Sequence, residues 1–136
     1  MVVFSITSEA AERIYAQARS EAPREACGML GGSELHATTA YPTKNVDTSN
    51  VTYSIDPQEA FSVIKQMRAD AVDFIAGYHS HPETEAYPSP TDKRKAGDSD
   101  LVYVIVSLRQ PDQPELRAYW IDSVEVEELE VRILQL

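Results

Sequence analysis

Eight consecutive residues, Leu101-Val102-Tyr103-Val104-Ile105-Val106-Ser107-Leu108, form the most apolar run in the chain. Such a run reads as a central strand covered on both faces. The remaining segments supply the layers. Val2 to Ile6 is short, apolar and β-branched, an opening strand. Thr7-Ser8-Glu9 offers a hydroxyl cap and a first-turn acid. Ala11, Ile14, Tyr15, Ala18 and Ala22 then recur at helical spacing, and Pro23 stops that helix. Ala26 to Leu30 suits a buried strand, and Leu35 to Tyr41 returns as the second arm of a hairpin. His36 lies on that arm as an exposed strand residue. Pro42 to Asn50 is a polar loop long enough to carry contacts. Thr52 to Ile55 is a short extended piece. Asp56-Pro57 caps a second helix, with Ala60, Val63, Ile64, Met67 and Ala71 as its buried stripe. Gly97-Asp98-Ser99 closes a short helix that begins near Thr91. Leu116 to Ile121 pairs back after a turn, and Asp122-Ser123 turns again. Val124 to Leu136 is assigned as strand, although Leu129, Ile133 and Leu136 also fit a helix face. The fold class is α/β, a single domain over residues 1–136 with a mixed β-sheet flanked by helices.

Charge narrows the function classes. Twelve Lys and Arg face 22 Asp and Glu, a formal net charge of -10. That disfavours nucleic acid and anionic membrane surfaces as partners and permits a basic protein. Cys27 is the one cysteine, so no internal disulfide forms. In its run of small apolar residues it reads as core filling. The first residues lack the basic and apolar regions of a signal peptide, and no stretch has the length of a membrane span. A cytoplasmic protein is expected.

Asp73 to His79 is a strand that delivers two of the three histidines, in Tyr78-His79-Ser80-His81-Pro82. Side chains at i and i+2 of a strand share a face, so His79 and His81 aim two imidazoles at one point. Gly77 on the same face leaves room there or eases packing. Asp92 can return to that point through a loop stiffened by Pro82, Pro88 and Pro90. Two imidazoles and one carboxylate make the protein half of a catalytic zinc site with a fourth position for water. A bare His-x-His equally marks two surface histidines at a strand end. Glu25 stands at the entrance of its strand, where a solvated acid is the commoner fate. The chemistry also asks for a carboxylate that is not a ligand, to move a proton, and a donor for a developing oxyanion. Glu25 and Ser89 are of those types.

Taken together, Glu25, His79-Ser80-His81, seven residues, Ser89, two residues and Asp92 resemble the signature of the JAMM (MPN-plus) zinc metalloprotease family. Glu25-Ala26-Cys27-Gly28 is similar to the start of that family's first core strand. The resemblance covers nearly the whole chain. It implies a fold similar to cytidine deaminases. It implies that His79, His81 and Asp92 bind one Zn2+, that Glu25 orients water and shuttles its proton, and that Ser89 stabilises the oxyanion.

Compactness and the Glu85-Ala86-Tyr87-Pro88-Ser89 loop look most like the short bacterial branch. That likeness implies a peptidase removing cysteine, or a short C-terminal extension, from a small ubiquitin-like sulfur-carrier protein with a Gly-Gly tail. Glycine allows the close backbone approach a narrow channel demands. Pairing of that tail with a sheet edge is the docking mode expected. Two other readings stand beside it: an isopeptidase on another ubiquitin-like conjugate, and a non-catalytic scaffold with a structural metal.

Overall fold

The computed structural model describes residues 1–96, 100–122 and 125–135. The strands are β1 (Val3–Thr7), β2 (Cys27–Ser33), β3 (His36–Thr43), β4 (Asp73–His81), β5 (Val102–Ser107), β6 (Glu115–Ile121) and β7 (Val126–Leu134). The helices are α1 (Ser8–Glu21), α2 (Pro57–Ala69) and α3 (Pro90–Ala96). The last segment is strand, not helix. The expected closing turn at Gly97 to Ser99, and Ser123, Val124 and Leu136, lie outside the described residues.

The sheet is mixed, as expected, and goes further by closing on itself in the order β1-β3-β2-β4-β5-β6-β7. Parallel pairing of β1 with both β3 and β7 makes the closure. β4 and β5 are also parallel, while the hairpins β2–β3, β5–β6 and β6–β7 are antiparallel.

β5 shows why its sequence has no polar alternation. Val102, Val104 and Val106 enter the main core with Phe4, Leu30 and the α1 residues Ile14 and Ala18. Ile105 enters a second core with Ala86, Ala96, Tyr119 and Ile121. One face of the strand is therefore covered by α1, the other by α3 and the loop before it. Each such valine or isoleucine contributes about 1.5–3 kcal/mol by leaving water.

α1 begins where its cap predicts, with the Thr7 hydroxyl accepting the Ala10 N–H at 3.2 Å. Ala10, Ala11, Ile14, Tyr15 and Ala18 are buried, but Ala22 is exposed as the C-cap. Asp56 caps α2 through the Gln58 and Glu59 N–H groups. The stripe expected on α2 is mostly wrong. Met67 is buried, Ala60 and Val63 are half-buried, and Ile64 is exposed. The helix ends at Ala69, so Ala71 lies past it, exposed, with φ 59°. Helical spacing marks a face, but α2 presents only its edge to the barrel. Thr52 to Ile55 forms no strand, and β3 runs on to Thr43 through the expected start of the loop.

Gly28 is set by packing. A Cβ there would lie 2.2 Å from the Tyr78 hydroxyl and 2.3 Å from its Cζ. At Gly77 a Cβ would meet nothing within 4 Å, which matches open room beside the site rather than tight packing.

Candidate active site

The end of β4 is locked between two neighbours. His79 pairs with Cys27 of β2 and with Ile105 of β5, and so takes the side on which α3 lies. The intervening Ser80 turns the other way. Its Oγ accepts the Ala26 N–H at 2.8 Å and its own N–H donates to the Ala26 carbonyl at 2.9 Å. This exchange carries Glu25, the residue before Ala26, to the neighbourhood of His81.

The loop from Pro82 to Ser89 is clamped onto the barrel. Ser107 Oγ donates to the Thr84 carbonyl at 2.6 Å, and the Tyr119 hydroxyl donates to the Ala86 carbonyl. Tyr87 meets Tyr119 edge to face, with Lys93 over its ring at 5.0 Å. The loop then delivers Ser89 as the cap of α3. Ser89 Oγ accepts the Asp92 N–H at 3.0 Å, and Asp92 Oδ2 accepts the Ser89 N–H at 2.9 Å. This is a capping box, whose spacing is the Ser-x-x-Asp of the sequence.

The three expected ligands come together, and all are buried. His79 Nε2 and His81 Nε2 lie 3.2 Å apart, and each lies 3.1 Å from Asp92 Oδ2. Ligand bonds of ~2.0–2.1 Å at tetrahedral angles place donor atoms about 3.3 Å apart. The triangle thus fits a zinc ion without rearrangement. His81 Nδ1 donates to the Glu85 carbonyl at 2.8 Å, so in the neutral ring Nε2 is the nitrogen whose lone pair faces the triangle. The His79 ring stacks on Tyr53, centroids 4.4 Å apart and planes 21° apart, and its buried Nδ1 has no hydrogen-bond partner among the described residues.

Electrostatics at His79 and Asp92 agree with a cation site, while His81 is drawn toward its protonated form and would have to lose that proton to ligate. Burial holds His79 below its usual pKa, so the imidazole is neutral, as a ligand must be. Burial alone would push Asp92 up, but the hydrogen bonds from His79, His81 and the Ser89 N–H outweigh it. They hold the carboxyl well below the usual carboxylate range. In His81 burial works downward, and the contacts with Asp92 and the Glu85 carbonyl win, raising it.

Glu25 and Ser89 line one cleft of about 180 Å³ with His81, between Val51 on one side and Pro82 to Thr84 on the other. Glu25 is 4% exposed, so it is not the solvated strand-end acid that its position suggests. Its Oε1 is buried without a hydrogen-bond partner among the described residues, and burial raises the carboxyl pKa to about 7. His36 stands apart as expected of a non-ligand, bonded to Ser5 Oγ at 2.7 Å, though it is half-buried.

Two residues of the site carried no signal of their own in the sequence. Tyr53 is one, in a segment read only as extended. Asn45 is the other, buried in the loop with its amide on the Glu25 carbonyl. The length and polarity of that loop were the only hint.

The model for prokaryotic homologs of the JAB domain matches residues 7–122. This chain belongs to the prokaryotic JAB family. Among relatives of this JAB protein, the CysO-cysteine peptidase of Mycobacterium tuberculosis is 38% identical over 136 residues, covering 98% of this chain and 92% of the relative. A desampylase of Haloferax volcanii is 36% identical over 110 residues, covering 76% and 79%. The solution structure of a Desulfitobacterium hafniense protein superposes with a TM-score of 0.89 at 35% identity, covering 99% of this JAB chain and 94% of the other.

Proposed function

We propose that this JAB protein is a zinc-dependent peptidase that cleaves the bond after the C-terminal Gly-Gly of a small ubiquitin-like sulfur carrier, releasing cysteine or a short extension. The observation that carries the chemistry is the buried triangle of His79, His81 and Asp92 with the Glu25 carboxyl in the adjoining cleft, its Oε1 without a hydrogen-bond partner among the described residues. The substrate class is supported by similarity to the CysO-cysteine peptidase and to the desampylase.

His79 Nε2, His81 Nε2 and Asp92 Oδ2 would hold the metal. When bound, zinc supplies the Lewis acidity that makes water a nucleophile near neutral pH. Glu25, in the cleft beside the ligand triangle, would take a proton from the attacking water and give it to the departing amine. Ser89 Oγ already accepts from Asp92, so its O–H remains to donate to the developing oxyanion. Val51 and the Pro82 to Thr84 segment flank the scissile bond and restrict access to a slender tail.

The scaffold reading is weaker on one count. A closed structural zinc site takes four protein ligands, and the group found among the described residues supplies three. We place the enzyme in the cytoplasm, where the single buried Cys27 thiol needs no partner; cell fractionation checks this.

Metal analysis of purified protein, followed by turnover of a carrier–cysteine conjugate, tests the proposal. One zinc per chain and release of cysteine are expected. A metal-free protein that cleaves the conjugate, or a zinc-loaded one inert on every Gly-Gly conjugate offered, would overturn it.

A further inference from the structure

The loop between β3 and α2 grips Glu25 by its main chain. Asn45, buried at 8% exposure, uses its whole amide. Nδ2 donates to the Glu25 carbonyl at 3.0 Å and to the Thr52 carbonyl at 3.0 Å. Oδ1 accepts the Asp47 N–H at 3.0 Å and the Ser54 N–H at 3.1 Å. The Glu25 N–H in turn donates to the Ser49 carbonyl at 2.9 Å. Both main-chain polar groups of Glu25 therefore end on one loop. None of these bonds reaches the carboxyl, whose Oε1 has no hydrogen-bond partner among the described residues. A carboxyl so sparsely held is aimed by its backbone.

The same loop reaches the metal side of the site. Its Tyr53 ring covers His79, and the Tyr53 carbonyl accepts Lys95 Nζ at 3.0 Å from α3, the helix that bears Asp92. Lys95 also pairs with Asp47 at 3.7 Å. Asn45 closes this loop onto itself and onto Glu25 at once.

We propose that Asn45 is a positioning residue for Glu25. Its two N–H donors set the carbonyl of Glu25 and the far arm of the loop at a fixed separation, and so fix where the carboxyl stands relative to the ligand triangle. Asparagine alone among residues of its size has two donors and an acceptor in one plane. Aspartate keeps the acceptor for Asp47 and Ser54 but loses both donors, and sets a carboxylate against two carbonyls. This inference rests on Glu25 being the proton carrier in the proposed hydrolysis.

The test compares zinc-loaded wild type, Asn45→Asp, Glu25→Gln and the double variant under single-turnover conditions with excess enzyme. The substrate is a ubiquitin-like carrier extended past its Gly-Gly by one cysteine. Misplacing a reacting group by ~1 Å costs on the order of 100-fold. Asn45→Asp is therefore expected to slow cleavage roughly 10–100-fold at unchanged zinc stoichiometry. In the Glu25→Gln background it should add less than about twofold, because residues acting as a unit are not additive. A residue that merely supports the fold would slow both backgrounds by the same factor. Equal loss in both backgrounds, full activity in Asn45→Asp, or loss of zinc from it overturns the proposal. Full activity in Glu25→Gln instead overturns the role of Glu25 itself, so the two failures are told apart. Should Asn45→Asp not fold, Asn45→Ser is read by the same comparisons.

Discussion

Ser89 and Asp92 hold each other: the hydroxyl of Ser89 takes the Asp92 N–H at 3.0 Å, while the Asp92 carboxylate takes the Ser89 N–H at 2.9 Å. The oxygen that receives the Ser89 N–H, Oδ2, is also the one facing both imidazoles. One carboxylate oxygen thus serves the capping box and belongs to the proposed ligand set.

Replacing Ser89 by alanine separates the two functions. The main-chain N–H on Asp92 survives, so zinc stoichiometry should be kept. Loss of the cap acceptor should cost about 1 kcal/mol of stability by chemical denaturation. Loss of the O–H donor should lower kcat roughly 100–1,000-fold. A kcat within threefold of wild type would remove Ser89 from the chemistry.

Glu25→Gln should abolish most turnover, a loss of roughly 100–10,000-fold, while zinc stays bound. It also makes a prediction for the metal-free protein. Burial raises the Glu25 carboxyl from its ordinary 4.5 to about 7. The folded state then prefers the protonated form, and stability is lost as pH rises from about 4.5 through about 7. Glutamine does not ionise. The variant's gain in Tm over wild type should therefore be larger at pH 8 than at pH 4.5, where it should be small. Equal differences at both values would mean that the carboxyl is hydrated in solution.

The Tyr53 ring stacks on His79, a proposed zinc ligand. Tyr53→Phe keeps the ring on His79 and should leave zinc affinity unchanged. Tyr53→Ala removes it and should weaken zinc roughly 10–100-fold, the range for groups that orient a ligand. Competition with a chromophoric chelator reads both. Equal affinities in the two variants would show that the stack does not orient the imidazole.

Glycines 28 and 77 should behave oppositely. A methyl group at Gly28 meets the Tyr78 ring, whose hydroxyl is itself held by Gln17 Oε1 at 2.5 Å. Gly28→Ala should lower stability by about 1–3 kcal/mol in urea unfolding. Gly77→Ala enters open space and should be neutral or slightly stabilising.

Much of this arrangement is legible in the chain because it is written locally. The His-x-His at a strand end and the unbroken apolar β5 each follow from one stretch and its periodicity. Closure of the sheet was not legible, since parallel partners of β1 lie far along the chain and leave no turn signal between them. Nor was the burial of Glu25, which Ser80 imposes from another strand. The stripe read on α2 failed for a related reason: spacing names a face but not whether anything covers it. Tyr53 and Asn45 act through a loop without regular structure, where neither period nor propensity points inward.

The ring of strands has a consequence for biosynthesis. Residues 3–7 lie between partners at 36–37 and 130–134, the second of which leaves the ribosome more than a hundred residues later. Until then β1 can pair on its β3 edge alone and the cylinder stays open. Folding should therefore wait on that late strand, and a nascent chain stalled before β7 should present an unsealed seam to chaperones and proteases.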